Sequence, residues 1–225
     1  NEIYRVVQES DDQGGADMWG DATFRGNVYH YNYWHHIGNQ TNPADAPDCG
    51  QAGIRLDDAI SGTRICGNVF HRTSSGKAGF GGVQIHGGKD NLIDNNVFVE
   101  CMAAVSFSAW GDARWRDFVG NAMESPEIDS ELYVQRYPEL ARLLEDHDIN
   151  ILARNLALNC GEFIRRDSKR GILLDNVDTS TEIALTGDGR LDLQALTALM
   201  REHGLAPIPF EEIGLYESDT RSQTP

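Results

Sequence analysis

A short phrase recurs along this chain at uneven intervals: an apolar residue, two residues of any kind, Asn, then Val or Leu. It reads FRGNV ending at Val28, ICGNV ending at Val69, IDNNV ending at Val97, LARNL ending at Leu156 and LLDNV ending at Val177. The asparagines are Asn27, Asn68, Asn96, Asn155 and Asn176, with steps of 41, 28, 59 and 21 residues. A constant element separated by variable insertions is what a solenoid produces, because each coil keeps one cross-section while loops grow from its corners.

The register around the asparagines indicates which side chains point inward. Three residues before them stand Phe24, Ile65, Ile93, Leu152 and Leu173, and one after them Val28, Val69, Val97, Leu156 and Val177. Five after them stand Asn32, Thr73, Cys101, Cys160 and Thr181, all small or polar. Alternating apolar positions around a polar corner describe short strands joined by tight turns. Asn suits a repeated bend because it tolerates left-handed backbone and its amide bonds neighbouring backbone. Stacked coils would place these amides about 4.8 Å apart. The expected fold is all-β: a right-handed parallel β-helix over residues 1–215, with a helical insertion at about 124–147, a C-terminal capping helix at about 192–203 and a polar tail at 216–225.

The insertion runs from about Arg114 to Asp148, and inside it PEIDSELYVQRYPELARLLE, Pro126 to Glu145, reads as two helical pieces, the second opened by Pro138. The cap is read from DLQALTALMREH, where Leu193, Leu196, Leu199 and Met200 share a face and Gly204 follows as a stop. An earlier polar loop, Asn39 to Gly50, carries two prolines. The opening NEIYRVV already reads as a strand, so further N-terminal coils or a second chain are expected to cover that end. The four cysteines, Cys49, Cys66, Cys101 and Cys160, show no C-x-x-C spacing and read as buried small hydrophobes rather than a disulfide framework or zinc site.

Charge narrows the partners. Thirty-five acidic against 19 basic side chains give a formal charge of −16, which opposes nucleic acid and anionic membrane surfaces. No apolar run approaches a membrane span.

The chemistry is expected on the outward positions of one strand in each coil. Aligning the inward pairs Ala16/Met18, Ile54/Leu56, Val83/Ile85 and Val105/Phe107 leaves two outward columns: Asp17, Arg55, Gln84, Ser106, and Trp19, Asp57, His86, Ser108, with Asp58 at the following turn. Asp17 and Asp57 then lie very roughly 8 Å apart at their α-carbons. Two carboxylates at such a distance can hydrolyse a glycosidic bond, one protonated as the acid and one ionised as nucleophile or base. Trp19, with Trp34 or Trp110 nearby, offers a ring for a sugar to stack on, and His86 and Arg55 can hold hydroxyls or tune a carboxylate.

The phrases GIRLDDAISGTRICGNVF, VQIHGGKDNLIDNNVFVEC, RYPELARLL and PIPFEEIGLY resemble the C-terminal half of bacterial right-handed β-helix carbohydrate-active proteins, closest to the group around glycoside hydrolase family 141, with its fucosidase and xylanase activities. The resemblance runs from NEIYRVVQESDDQGGA to the PIPF segment. It implies hydrolysis of a cell-wall or similar polysaccharide by a carboxylate pair, with Asp12, Asp17, Asp57 and Asp58 as candidates. The outward columns and the nearby ring offer Trp19, Arg55, His86, Gln84 and Trp110 as substrate-binding residues. Relatives tend to read D-x-G-A and then an aromatic, whereas this chain has Asp12-Gln13-Gly14-Gly15-Ala16 and then Asp17-Met18-Trp19, so both Asp12 and Asp17 stay candidates. The substrate type implies an extracellular or periplasmic setting.

Two other readings stand beside the hydrolase. A polysaccharide lyase would use Arg55 or His86 as its basic group, with calcium possible at Asp57 and Asp58, although so negative a chain repels a polyuronate. A non-catalytic glycan-binding or structural β-helix needs no carboxylate pair at all. No resident cofactor or metal is expected. His35, His36, His71 and His86 are the imidazoles a transition metal would draw on, but His35 and His36, adjacent on a strand, are expected to face opposite sides.

Overall fold

The structure is a computed structural model that describes residues 1–38, 48, 50–75, 77, 79–125, 129–166, 170–187 and 189–212. Most of the polar loop from Asn39, Cys49, the first residues of the Pro126 segment, the end of PIPFEEIGLY and the tail lie outside the described residues.

The strands come in threes. The first repeat holds β1 (Glu2–Tyr4), β2 (Gln13–Trp19) and β3 (Val28–His30); the second β4 (Tyr33–His35), β5 (Gln51–Asp57) and β6 (Arg64–Cys66). The third holds β7 (Val69–His71), β8 (Val83–His86) and β9 (Leu92–Asp94); the fourth β10 (Val97–Val99), β11 (Ala103–Ser108) and β12 (Asn150–Ala153). The fifth holds β13 (Leu156–Leu158), β14 (Glu162–Arg165) and β15 (Gly171–Leu174), and β16 (Val177–Thr179) follows. Each strand pairs in parallel with its counterpart in the next repeat. The result is three parallel sheets, ordered β1-β4-β7-β10-β13-β16, β2-β5-β8-β11-β14 and β3-β6-β9-β12-β15.

Their corners depend on a ladder of stacked asparagine amides. Asn32, Asn68, Asn96 and Asn155 each donate backbone N–H and Nδ2 to Oδ1 of the next asparagine, ending at Asn176, at 2.9–3.0 Å throughout. Asn1 Nδ2 joins at Asn32 Oδ1, 2.9 Å away. The ladder corrects the first repeat of the sequence reading, because Asn32 rather than Asn27 is its member there. Asn27 belongs to the preceding corner, where its carbonyl receives Arg64 N–H just as those of Thr63 and Asn91 receive Leu92 and Ile151. Register follows suit: Tyr29, not Phe24, sits opposite Ile65, and Phe24 and Val28 are 55% and 51% exposed.

The left-handed residue of this corner is the one before each ladder asparagine: Tyr31, Gly67, Asn95, Arg154 and Asp175, with φ between 49° and 65°. The ladder asparagines contribute their amides instead of an unusual backbone. A second left-handed column, Arg5, His36, Arg72, Glu100 and Asn159, follows the strands of the first sheet.

Between the sheets lies a core of Ile54, Leu56, Ile65, Val83, Ile85, Ile93, Val105, Phe107 and Leu152, with Trp34, Phe70 and Phe98 stacked in successive repeats. Each such side chain, fully buried, stabilises by ~1.5–3 kcal/mol. Cys66, Cys101 and Cys160 are free thiols, and Cys101 stacks 3.5 Å from the Thr73 hydroxyl.

The C-terminal helix α3 (Leu193–Glu202) is capped by Asp192, whose carboxylate accepts from Gln194 and Ala195 N–H. It does not close the end of the stack. Leu196 and Met200 pack with Val69, Val97, Val99, Leu156 and Leu158 on the outer face of the first sheet. That outer face is apolar and the helix removes it from water. The last repeat keeps Ile172, Leu173 and Leu174 about half exposed.

The insertion between β11 and β12 opens with a helix that the sequence reading did not give, α1 (Asp112–Val119), followed by α2 (Ser130–Arg136) and a 3-10 turn opened by Pro138. Its core of Trp110, Trp115, Val119, Leu140 and Leu143 packs onto Ala22 and Ala59. Buried Lys89 clasps it through the carbonyls of Arg142 and Glu145.

Asn96→Ala removes the acceptor of two bonds and the donor of two more, leaving buried groups unpaired at about 1–3 kcal/mol each. It should lower stability by at least about 2 kcal/mol, read as a lower urea midpoint at unchanged slope. Asn27→Ala, off the ladder, should cost less than about 1 kcal/mol.

Candidate functional site

The second sheet carries the site because its strands are long enough to show two outward residues each. The register sets Asp17 beside Arg55, Gln84 and Ser106, and Trp19 beside Asp57, as the alternation of the sequence indicates. The first column runs one strand further, to Arg165.

Arg55 organises the carboxylates. Its Nη2 lies 3.0 Å from Asp12 and 2.9 Å from Asp57, and its Nη1 lies 3.5 Å from Asp17 and donates to the Asp12 carbonyl at 2.7 Å. One planar guanidinium therefore bridges Asp17 and Asp57 and caps the separation of their bridged oxygens at about 9 Å. Asp17 also accepts from Gly14 N–H at 3.0 Å. Asp57 is nearly buried and accepts from His86 Nδ1 at 2.7 Å.

These surroundings drive the two carboxyls apart. Burial pushes Asp17 above its ordinary value, outweighing Arg55 and the Gly14 amide, and the charge of Asp57 adds to the rise. Burial acts upward on Asp57 too, but the His86 hydrogen bond and the Arg55 charge outweigh it and hold this carboxyl low. A pair with one member raised and one lowered is how one site supplies an acid and a base.

Asp58 reaches the same cluster by a backbone device. Asp58 and Ala59 are both left-handed, at φ 39° and 69°, which breaks strand alternation so that consecutive carboxylates face His86. His86 Nδ1 is 2.7 Å from Asp57 and 3.3 Å from Asp58. Asp58 also accepts from Trp19 Nε1 at 2.8 Å and meets Arg114 of α1 at 3.6 Å. Arg114 was not singled out from the sequence. Its only signal there was a position in the insertion, and the contact is made by tertiary packing.

Two substrate-binding expectations need correction. Trp110 is 2% exposed, with the Arg114 guanidinium 3.9 Å over its ring and His86 edge-on at 5.4 Å. Its hydrophobic ring is drawn into the insertion core, so it buttresses His86 and presents no face to a ligand. Gln84 is likewise buried and donates to Ser108 Oγ at 3.2 Å. Trp19, by contrast, is 68% exposed.

Asp57, Asp58 and His86 each bring one ligand atom within 4.8 Å of the others, the donor set of a divalent cation. Their oxygens already accept from Arg55, Trp19 and His86, so a cation would have to displace the His86 proton, the Trp19 indole N–H and the Arg55 guanidinium. The donor set fits calcium poorly, since that ion takes six to eight oxygens.

A second cluster lies on the first sheet. His36 is left-handed at φ 52°, so it does not face away from His35; their Nδ1 atoms are 3.0 Å apart. His35 Nε2 also meets Glu2 at 3.0 Å. His71 stands next, with its ring 5.2 Å from that of His36, its Nδ1 3.4 Å from the Tyr33 hydroxyl and its Nε2 3.6 Å from Glu100. Burial, then the charge of Arg72, holds His71 down to about 4, and burial also lowers His35 and His36. His86 belongs to the other sheet and joins none of these.

No family model, curated protein or solved structure matches the chain. Among the described residues no helix is long and apolar enough to cross a membrane.

The histidine cluster makes stability pH-dependent. A group whose folded value is depressed stabilises the fold above its unfolded value, and that contribution is lost as pH falls through the folded one. Stability should therefore drop from pH 6.5 towards about 4 as His71 is forced to charge. His71→Gln should flatten this dependence in urea titrations at pH 7, 5.5 and 4.5; an unchanged slope would refute the assignment.

Proposed function

We propose that the three parallel sheets wind as a right-handed parallel β-helix and that its second sheet hydrolyses glycosidic bonds in a polysaccharide or oligosaccharide outside the cytoplasm. The observation that carries this reading is the opposed displacement of Asp17 and Asp57 around the shared Arg55. Asp17, whose carboxyl burial pushes above its ordinary value, is the acid and gives its proton to the leaving glycosidic oxygen. Asp57, held ionised, attacks the anomeric carbon or takes a proton from the attacking water. The ceiling of about 9 Å between them covers both hydrolytic geometries, about 5–5.5 Å for retention and about 6.5–9.5 Å for inversion. Arg55 and His86 keep the negative charge on Asp57 while the sugar becomes cationic. The resemblance to family 141-like proteins points to the same chemistry. A lyase is less favoured, because Arg55 beside the pair and Arg114 beside Asp58 are already bonded to carboxylates.

Release of reducing ends from a panel of plant and bacterial polysaccharides tests the reading. Asp17→Asn and Asp57→Asn should each lower kcat by about 10²-fold or more. Activity should fall at low pH as Asp57 protonates and at higher pH as Asp17 loses its proton, and Asp17→Asn should erase the second limb. If both variants keep the wild-type rate, or the protein binds glycans and cleaves none, the hydrolase reading fails.

A further inference from the structure

We infer that Trp19 is a stacking subsite for an uncharged pyranose ring and that Asp58 is the positioning residue that orients it, not a second catalytic carboxylate. This rests on the glycan reading above. Trp19 is the one exposed tryptophan among four; Trp34, Trp110 and Trp115 are 4% exposed or less. An exposed indole ordinarily samples several rotamers. This one is tied along its edge, because Nε1 donates to Asp58 Oδ2 at 2.8 Å, while the residue as a whole stays exposed.

Asp58 is itself held from the other side. Its Oδ1 lies 3.3 Å from His86 Nδ1 and 3.6 Å from Arg114 Nη2, and Arg114 rests on the Trp110 ring inside the insertion core. A line of contacts thus runs from the helical insertion through Arg114 and Asp58 to the indole edge. Both Asp58 oxygens are thus engaged, one by the indole and one by His86 and Arg114. Its left-handed backbone, followed by that of Ala59, is what aims it at Trp19 and His86. A ring held this way loses little entropy on binding.

The charge around Trp19 selects the ligand. Asp58 bonds the indole edge, Asp57 lies opposite Trp19 on the next strand, and Asp12 and Asp17 share Arg55 with Asp57. Arg55 is thus shared by three of these carboxylates, and Arg114 by the fourth and an aromatic ring. A uronate carboxylate brought here would meet like charge and would have to break an existing ion pair to find a cation. Sugar hydroxyls, which donate hydrogen bonds, suit an acceptor-rich face. The C–H face of a pyranose is apolar and slightly positive, and it suits the negative face of an indole.

Binding is measured by tryptophan fluorescence and calorimetry, with gluco-, xylo-, manno- and galacto-configured hexasaccharides as uncharged probes and hexagalacturonate as the acidic one. At least one uncharged hexasaccharide should bind and change the fluorescence, and hexagalacturonate should bind at least tenfold more weakly. Trp19→Ala should weaken binding on the order of tenfold. Asp58→Ala should raise KM and the acrylamide quenching of Trp19 while kcat stays within about threefold, and Asp58→Asn, which keeps an oxygen for Nε1–H, should restore most of the affinity. Tighter binding of hexagalacturonate, no binding of any uncharged probe, or a kcat loss of about 10²-fold in Asp58→Asn would overturn the inference. Binding as described without cleavage would sink the hydrolase reading and leave the subsite standing.

Discussion

Everything else in this structure hangs on a column of primary amides. A parallel stack of three-residue strands has little hydrogen bonding within each strand, so its corners must be tied to one another. Each asparagine side chain does this twice, accepting from the backbone and amide of the repeat before it and donating to the repeat after it. Because the groups are buried, water cannot replace any of these bonds, and a missing amide leaves its neighbours unpaired. The ladder thereby sets the register of all three sheets, and register decides which side chains enter the core and which form the carboxylate face.

Left-handed corner residues are the second constraint. At the end of a strand they cancel the alternation that would send neighbouring side chains to opposite faces. This happens at Asp58, which joins Asp57 in facing His86, and at His36, which turns back onto His35. The strain of such a backbone, of order 1 kcal/mol per residue, is offset by hydrogen bonds to the next repeat, such as Ala59 N–H to His86 and His36 N–H to His71.

Much of this was legible in the chain. The alternation in β2, β5, β8 and β11 gave the correct columns, since period-two burial is a property of any half-buried strand. The phrase around Asn68, Asn96 and Asn155 marked true ladder positions. It failed at the first repeat because Tyr29 and Tyr33 flank Asn32 where later repeats carry aliphatic residues, while FRGNV matched the aliphatic pattern by coincidence. The capping helix was visible as a helix, yet its destination depended on the apolar outer face of the first sheet, which no local pattern announces.

The sequence by itself determined the strand periodicity, the amide corners and the set of carboxylates on one face, because these follow from residue spacing along a repeating backbone. Only the tertiary structure decided that Arg55 bridges Asp17 and Asp57, that Trp110 is buried beneath Arg114, and that Asp58 holds the Trp19 indole. Those contacts join residues from different repeats and from the insertion. Their energies depend on burial and distance, which exist only once the chain has folded.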